Sequence, residues 1–450
     1  MTLKVEIENP TNACVAIKTD QGKILIDPWL DDGIYDGTWH NFPRVTDDHK
    51  SELLKDVSLC LITHLHKDHF NIATIKRLPR ETKIVFVKTF GWQVIKATLE
   101  SEGFNNLILL NVDEQEYLID ELGFKISPVP PINTSGLYSQ ADQNDMSIDA
   151  GFVIESNISK LKLVFLADNN LYNTEIIKKN LSLLKDPDLI AFAYSGFASD
   201  YPFNYQYSRE EQLNICEKLE KSRFDTQVKN LKIINPKTIL PYSSEFVAVG
   251  PTVEDWTNAL LQTYTSDKVE VGRRYADAIG CNFETLYPNE LLVAEGRKFL
   301  PVTEVVQRSN LMNELLEYQK SISCKNFKNN SDETIIIDDF LLEESAKNCF
   351  TGVIKNNLKP NLAINIYSDN NFLGALDFKQ SHFNKSNPIK DSYLNIYIAG
   401  EMLHRVLKRS FHWDDACLSL KVKWERHPEP FDIDTQNALT YFCQPIMRSS

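Results

Sequence analysis

The chain has 450 residues, which exceeds the size at which a single hydrophobic core keeps growing, so we expect two domains. Its composition (42% hydrophobic, 10% aromatic, 24% charged) is that of a globular protein. The formal net charge of −14 argues against a nucleic-acid partner, because phosphate binding needs a basic surface. No apolar run approaches the roughly 20 residues that span a bilayer, and the N-terminus lacks the basic and apolar segments of a secretion signal, so we expect a cytoplasmic protein without membrane contact.

Up to about residue 300, short runs typical of strands alternate with helical stretches. Residues 5–19 and 23–30 read as neighbouring strands joined by a turn. Residues 57–64 are a continuously apolar, buried strand, and residues 72–78 begin the helix behind it. Further strands are predicted at 83–88, 106–110, 150–156, 161–168, 188–197 and 237–246. Most of these strands end in polar residues, at the strand ends where α/β layers build their sites.

The last third of the chain has a different organisation. Residues 304–320 predict one amphipathic helix, and the polar stretch 325–334 is a plausible boundary loop. Beyond it, strand-like and helical runs predict a small α+β unit that resembles sterol-carrier-like folds. We therefore predict a domain over residues 1–303, a connecting helix and loop over 304–334, and a C-terminal α+β domain over 335–450.

Three histidines and an aspartate are crowded into LITHLHKDHF (61–70), although the whole chain has only nine histidines. A turn that leaves the preceding strand can direct His64 and His66 at one metal ion and Asp68 and His69 at another. Imidazole and carboxylate are ligands that first-row transition metals prefer. Three solvated loop histidines are the alternative, but the preceding strand is too apolar for a surface loop. The motif therefore predicts metal binding.

This motif resembles the HxHxDH signature of the metallo-β-lactamase superfamily. The resemblance implies an α/β fold, the αββα sandwich of that superfamily, with two metal ions. It also implies that Asp27, in ILIDPWL, supports the metal ligands from behind, and that Asp168, at the end of a later strand, bridges the two metals. A helix N-cap is the alternative role for Asp168.

The sequence departs from the superfamily pattern in its histidines. Hydrolases of this fold supply a third histidine before the strand at 150–156 and another near 240–246, whereas this chain has no histidine between residues 70 and 381. Either one metal is lost or oxygen ligands replace imidazole, and oxygen-rich sites favour iron or manganese over zinc. The candidate oxygen ligands are Asp142, Asn144, Asp145 and Asp149. We predict Asp145 as the substitute ligand.

Several segments also resemble the catalytic part of the CMP-N-acetylneuraminate hydroxylase family, over nearly the whole chain. They are DPWL with GTWHNFP behind it, SGFASDYPF (195–203), PYSSEF and the tryptophan-led tail at 411–432. That family carries a Rieske domain with CxH and CxxH ligands to an iron–sulfur cluster. Here the eight cysteines are scattered singly and form neither motif. We therefore expect a separate ferredoxin or reductase to deliver electrons.

Other residues near the expected site have candidate roles. His40 could supply the missing imidazole or act as an acid or base. Tyr201 and Phe203 could stack on a substrate ring, and Tyr242 could contact the substrate. Arg273 could neutralise a phosphate or carboxylate on it. The alternatives are core packing for the aromatic residues and surface positions for His40 and Arg273.

Three functions remain in view. The first is a dinuclear non-haem iron oxygenase that hydroxylates a small polar or nucleotide-linked substrate, with Asp68, His40 and Asp168 as the expected catalytic residues. The second is a hydrolase of phosphoesters, lactones or amides that uses two divalent ions such as zinc or manganese. The third is a degenerate, non-catalytic binding module. Metal content and oxygen uptake would separate the first two.

Overall fold

The structure is a computed structural model. It describes residues 4–112, 117–119, 122–132, 148–194, 201–244, 246–249, 268–300, 311–326, 337–428 and 432–445. The strands in chain order are β1 (Lys4–Thr11), β2 (Cys14–Thr19), β3 (Gly22–Ile26), β4 (Trp39–Asn41), β5 (Val57–Ile62), β6 (Lys83–Val87), β7 (Leu107–Leu110), β8 (Tyr117–Ile119), β9 (Phe124–Val129), β10 (Gly151–Ser156), β11 (Lys162–Phe165), β12 (Leu189–Ala193), β13 (Thr238–Tyr242), β14 (Phe246–Ala248), β15 (Asn282–Phe283), β16 (Leu292–Glu295), β17 (Lys298–Phe299), β18 (Ala363–Ser368), β19 (Asn371–Asp377), β20 (His382–Asn384), β21 (Tyr393–Ile398) and β22 (Val422–His427).

The helices in chain order are α1 (Ile34–Gly37), α2 (Asp47–Leu54), α3 (Ile72–Ile75), α4 (Trp92–Ser101), α5 (Thr174–Lys179), α6 (Leu181–Leu184), α7 (Arg209–Ile234), α8 (Lys268–Ile279), α9 (Leu311–Asn326), α10 (Asp339–Lys355), α11 (Gly400–Leu407), α12 (Trp413–Leu418) and α13 (Ile433–Leu439). Among the described residues, no helix combines the length and the apolar character needed to cross a bilayer.

The first sheet has eight strands in the order β17-β16-β1-β2-β3-β5-β6-β7. Its first three strands in the chain form an antiparallel meander in which Val15 pairs with Ile26, so the predicted hairpin is present. From β3 onward the strands run parallel. The side chains of β5 are buried on both faces except for Ser58, which explains why its sequence is continuously apolar rather than alternating.

The second sheet has seven strands in the order β15-β13-β12-β11-β10-β9-β8. Strands β8 to β11 pair antiparallel, whereas β11, β12, β13 and β15 run parallel. The parallel part of each sheet therefore ends at a common edge, where the loops after neighbouring strands come together.

The two sheets pack face to face, with helices on both outer sides. The core between the sheets includes Leu61 of β5 and Leu240 of β13. Helices α2, α3 and α4 cover the outer face of the first sheet, and α5, α7 and α8 cover that of the second. This arrangement is the αββα sandwich that the metal motif implied, so the predicted fold class is confirmed.

The C-terminal part contains a five-stranded sheet in the order β20-β19-β18-β21-β22. Helices α10, α11, α12 and α13 pack on one face of this sheet and build a separate hydrophobic core. Tyr205, from the segment before α7, also belongs to this core. The α+β character agrees with the expectation, while the domain boundaries at 303 and 335 stay predictions.

The connecting helix differs from its predicted bounds. Within the described residues it spans Leu311–Asn326, so it ends later than the predicted 320, while the predicted start at 304 lies outside the described residues. Gln319 donates a hydrogen bond to the carbonyl of Ala248, so the helix lies against β14. Most of the predicted boundary loop, 327–334, lies outside the described residues.

Candidate metal centre

The candidate site lies at the edge where the parallel strands end. Asp27 follows β3, the histidine motif follows β5, Asp168 follows β11, and Ser243 follows β13. These strands belong to both sheets. The carboxyl ends of parallel strands therefore bring together side chains that are far apart in the sequence.

Two groups of side chains converge there, and they share one carboxylate. The first contains His64, His66 and Asp168, and the second contains Asp68, His69 and Asp168. Nε2 of His69 lies 3.2 Å from Oδ2 of Asp168 and 3.3 Å from Oδ2 of Asp68. Nε2 of His64 lies 3.9 Å from Oδ2 of Asp168. The shared Asp168 stands where a bridge between two neighbouring cations would stand.

Asp27 orients two of the histidines from behind. It is fully buried and accepts hydrogen bonds from the backbone N–H and the hydroxyl of Thr63, at 2.8 and 2.6 Å. It also faces Nδ1 of His69 at 2.9 Å. Because the hydroxyl proton of Thr63 is used on Asp27, its oxygen accepts from Nδ1 of His64, 3.0 Å away. Both histidines thus turn Nδ1 toward a supporting oxygen and direct Nε2 at the centre.

Both carboxylates of the second group are held in place. The hydroxyl of Tyr35 donates to Oδ1 of Asp68 at 2.6 Å, and the amide of Asn12 donates to Oδ2 at 3.2 Å. The hydroxyl of Ser243 donates to Oδ1 of Asp168 at 2.8 Å. In Asp68 and Asp168 it is therefore Oδ2 that faces His69.

The buried charges shift the pKa values of the cluster. Burial lowers the pKa of His64 well below its usual value, and the neighbouring His69 lowers it further. Burial alone would lower the pKa of His69 too, but the carboxylates of Asp168, Asp68 and Asp27 raise it well above its usual value. Burial would raise the pKa of Asp68, yet His69 holds it below its usual value. The centre therefore combines a neutral imidazole with ionised oxygen donors.

The donor set fits a pair of divalent transition-metal ions. Nε2 of His69 is buried and makes no hydrogen bond, although it faces two carboxylate oxygens. Nε2 of His64 and Nδ1 of His66 lie 3.0 Å apart, so two ring nitrogens converge on one point. Imidazole nitrogen and carboxylate oxygen are ligands of iron, zinc and manganese. The residues that would hold the ions are His64, His66, Asp68, His69 and Asp168.

The third histidine of the superfamily pattern has an oxygen donor in its place. Oδ1 of Asp149 lies 3.6 Å from Nε2 of His64, and its side chain is 14% exposed. Asp149 precedes β10, the strand that such a histidine would precede. Asp145, the ligand predicted from the sequence, lies outside the described residues. Asp149 was one of the four oxygen donors noted in that stretch, but nothing in the sequence alone singled it out.

The structure places other predicted residues away from the metal ligands. His40 is buried, its Nε2 contacts the carbonyl of Gly37 at 3.0 Å, and its ring meets that of Tyr318. Burial lowers its pKa. It belongs to neither converging group, so the suggestion that it replaces the missing imidazole does not fit its position.

The substrate-contacting role predicted for Tyr242 is wrong, because the side chain is completely buried. Its hydroxyl accepts a hydrogen bond from the backbone N–H of Ala167 at 2.6 Å, which steadies the loop that carries Asp168. Phe203 is also buried, in a cluster with Trp29 and Trp39. A buried ring cannot stack on a substrate, so the alternative of core packing describes it.

No contact of Tyr201 or Arg273 with the converging ligands is found among the described residues. Tyr201 packs against the C-terminal core, beneath the guanidinium of Arg426. Arg273 is exposed on α8. Sequence reasoning missed Asn12, Tyr35 and Ser243, which hold the carboxylates. Asn12 and Ser243 lie in loops and Tyr35 lies in the short α1; Ser243 belongs to PYSSEF, but nothing in the sequence showed that any of the three would contact a metal ligand.

Comparison with known proteins agrees with this geometry. Residues 23–224 match the family model described as a beta-lactamase superfamily domain. The cytidine monophosphate-N-acetylneuraminic acid hydroxylase of Xenopus laevis is 19% identical over 446 residues, which cover 95% of this chain and 70% of that protein. The predicted superfamily and the resemblance to the hydroxylase family are thereby confirmed.

Two solved structures are also similar. CmlA, described as a diiron beta-hydroxylase from Streptomyces venezuelae, is 16% identical with a TM-score of 0.43, over 65% of this chain and 54% of CmlA. Igni18, described as a metallo hydrolase from Ignicoccus hospitalis, is 16% identical with a TM-score of 0.42, over 65% of this chain and 99% of Igni18.

Proposed function

We propose that the part of the chain that matches the beta-lactamase superfamily domain, residues 23–224, holds two iron ions and hydroxylates a small polar or nucleotide-linked substrate with dioxygen. The observation that carries this proposal is the carboxylate of Asp149 beside His64, where hydrolases of this fold place a histidine. With Asp68 and Asp168, it makes a centre of three imidazoles and three carboxylates. Such an oxygen-rich donor set favours iron over zinc.

When bound, the two metal ions would supply the activation of dioxygen. The protein's own residues fix the ligands so that little rearrangement is needed during the reaction. Asp27 and Thr63 hold the imidazoles of His64 and His69 with Nε2 forward. The hydroxyl of Ser243 donates a hydrogen bond to Asp168, whose side chain is 27% exposed. Asp168 is therefore the most exposed of the three carboxylates.

The substrate class and the electron donor are part of the proposal. The Xenopus laevis relative, of which the match covers 70%, is named as a hydroxylase of cytidine monophosphate-N-acetylneuraminic acid, which supports a nucleotide-linked sugar as the substrate. Hydroxylation with dioxygen consumes two electrons and two protons for each product and water formed, so a ferredoxin or a reductase would be the partner. The cysteines with described side chains form no disulfide, which supports a reducing, cytoplasmic location.

The test compares iron and zinc in the same protein. Protein made with limited metal is loaded anaerobically with Fe²⁺ or Zn²⁺, and metal content and oxygen uptake are measured with a reductant and a cytidine monophosphate-linked sugar. We expect about two iron ions per chain, as two converging ligand groups require, and oxygen uptake that depends on the substrate. Zinc-loaded protein serves as the control. Iron-loaded protein that consumes no oxygen with any such substrate would contradict the proposal.

Hydrolysis is the second candidate, because the beta-lactamase superfamily domain and a pair of converging ligand groups also suit it. Two divalent ions would lower the pKa of a water molecule and so supply a hydroxide nucleophile. In this case the zinc- or manganese-loaded protein should cleave phosphodiesters or lactones without oxygen or reductant. Substitution of Asp168 by alanine should abolish that turnover. If the turnover survives the substitution, it does not come from this centre.

A further inference from the structure

The turn that carries Tyr35 has an unusual backbone. Tyr35 and Asp36 both adopt left-handed conformations, with φ of 49° and 59°, between Gly33 and Gly37, which also have positive φ. Left-handed backbone is unfavourable for residues with a side chain, and most of all for bulky ones. Such a turn persists only where its surroundings hold it.

Residues in the C-terminal part of the chain stabilise this turn. We call residues 405–421 the C-terminal clamp. Arg405 donates to Oδ1 of Asp36 at 2.9 Å, and Lys421 donates to its Oδ2 at 2.6 Å and to its backbone carbonyl at 3.0 Å. All three side chains of these ion pairs are partly buried. The carboxylate of Asp36, near the N-terminus, therefore forms ion pairs with two cationic side chains from the C-terminal part of the chain.

The clamp also grips the residues after Asp36. The hydroxyl of Thr38 donates to the carbonyl of Ser419 at 3.1 Å. The indole N–H of Trp39 donates to the carbonyl of Leu418 at 2.9 Å. The side chains of Thr38 and Trp39 are both buried. The turn is therefore tied to the clamp along its whole second half.

The other side of the turn faces the metal centre. The Tyr35 side chain is 1% exposed, and its hydroxyl donates to Oδ1 of Asp68 at 2.6 Å. A second link runs from the metal motif itself, since Nζ of Lys67 lies 2.8 Å from Asp415 and over the ring of Phe411. Lys67 is the residue next to Asp68 in the chain. The clamp thus reaches the same ligand by two routes.

We propose that the C-terminal clamp positions the metal ligand Asp68, because Arg405 and Lys421 hold Asp36, and Asp36 fixes the left-handed turn that places the Tyr35 hydroxyl on Asp68. Tyr35 and Asp36 are positioning residues. The inference rests on the metal-centre part of the proposed function and is independent of whether the reaction is an oxidation or a hydrolysis. Under this proposal, the C-terminal part of the chain affects the metal centre although none of the five ligands named above comes from it.

The experiment is a double-mutant cycle read out by metal binding in the full-length protein. Cobalt is titrated into metal-free wild type, Tyr35→Phe, Asp36→Asn and the double variant, with a competing chelator and the visible cobalt spectrum as readouts. The matched control is Asp188→Asn. Asp188 also lies between a lysine and an arginine, Lys237 and Arg297, but it precedes β12, at the end of the sheet away from the ligands.

Residues that orient metal ligands typically contribute about 10–100-fold in affinity. We expect Tyr35→Phe to weaken the more affected of two cobalt-binding steps by about 10-fold, and Asp36→Asn by a similar or smaller factor. The double variant should bind no more weakly than Tyr35→Phe, because the two residues act in series. The control should bind both ions as wild type does.

Three outcomes would overturn the proposal. Asp36→Asn could bind cobalt as wild type does, the effects of the two substitutions could multiply, or the control could lose as much affinity as Asp36→Asn. Wild-type protein that takes up no cobalt would instead contradict the metal centre itself. Thermal unfolding of each metal-free variant shows whether it is folded, and Lys421→Met, which leaves the turn's own sequence intact, replaces Asp36→Asn if that variant is not.

Discussion

Asp27 accepts three hydrogen bonds, and through them it fixes two metal ligands. Substitution by asparagine keeps the shape but replaces one acceptor oxygen with an N–H₂ donor. That donor would oppose either the Thr63 hydroxyl or Nδ1 of His69, so one imidazole must rotate or move its proton to Nε2. A protonated Nε2 cannot bind a metal ion.

We therefore predict that Asp27→Asn weakens metal binding by about 10–100-fold, the usual effect of losing such a supporting carboxylate. Competition with a chromophoric chelator measures it. Asp31→Asn is the control, because Asp31 lies in the same loop but its carboxylate contacts Thr74 and Arg77 rather than a ligand. Unchanged affinity in Asp27→Asn, with the control also unchanged, would show that the ligands orient themselves.

Asp149 is the residue that decides the donor set of the first group. Its Oδ1 lies 3.6 Å from Nε2 of His64, which is a member of the first group. If it completes the first group, then Asp149→Ala should remove one metal ion and spare the one held by Asp68 and His69. Asp149→His should raise the preference for zinc, because imidazole suits zinc better than iron.

Elemental analysis and stepwise titration of the two variants test this prediction. We expect one ion per chain in Asp149→Ala and a higher zinc-to-iron ratio in Asp149→His than in wild type. Asp47→Ala is the control, since that side chain is 99% exposed. If Asp149→Ala still binds two ions, Asp149 is not the ligand that replaces the third histidine, and Asp145 becomes the next candidate.

At the scale of elements, Asp188 joins the start of β12 to its neighbours. Its buried carboxylate accepts from the backbone N–H of Lys162 at 2.9 Å, from Lys237 at 2.7 Å and from Arg297 at 2.9 Å. Burial opposes ionisation, but the hydrogen bonds from Arg297 and Lys237 hold the pKa of Asp188 below its usual value. The ionised carboxylate therefore stabilises the folded state.

The sign of the pH dependence follows from that depressed pKa. The stabilisation is fully present above the unfolded-state pKa of about 3.9 and is lost as the pH falls through the lower folded-state pKa. We predict that Asp188→Asn lowers the free energy of unfolding by about 1–2 kcal/mol at pH 7, a modest value because both cations are half exposed. The difference should shrink at pH 3.

Urea unfolding of wild type and Asp188→Asn at the two pH values measures this difference. Asp339→Asn, which removes a 73% exposed carboxylate from an ion pair, should change the unfolding midpoint at neither pH. A difference between wild type and Asp188→Asn that stays constant from pH 7 to pH 3 would mean that the ionised form is not what stabilises the fold.

At the scale of the whole molecule, the two parts of the chain share backbone hydrogen bonds and a core. The N–H of Trp424 donates to the carbonyl of Asn204 at 2.7 Å, and the N–H of Gln206 donates to the carbonyl of Trp424 at 3.1 Å. Trp424 is 2% exposed and lies in the same core as Tyr205. Strand β22 is thus completed by a segment of the metal-binding domain.

We predict that the protein unfolds in one cooperative transition and that Trp424→Ala shifts this whole transition. The substitution should cost about 3–5 kcal/mol, the usual range for a buried tryptophan. Differential scanning calorimetry measures it. Phe340→Ala, at a side chain that is 65% exposed, is the control. A variant in which only part of the heat absorption moves would show that the two parts unfold independently.

Much of the fold could be predicted from the sequence. The apolar run of β5, the strand β3 and the strands β6, β7 and β10 to β13 were recognised, because their patterns are set by neighbours in the chain. Strands β4, β8 and β9 were not predicted, and β1 and β2 were read as one strand. The short α3 and the end of α9 were placed less well, since helix ends depend on caps and on packing. Tyr242 was misjudged because a tyrosine at a strand end gives no sign of whether its hydroxyl faces the core or the solvent.

The sequence by itself determined that this chain has a metal motif on an αββα sandwich. His64, His66, Asp68 and His69 lie within six positions after an apolar strand, so covalent geometry alone brings them together. Only the tertiary structure decided which distant residues complete the centre. Asp149, Tyr35 and the C-terminal clamp reach it through packing between segments up to 385 positions apart, and no local pattern records a contact that forms only when the whole chain has folded.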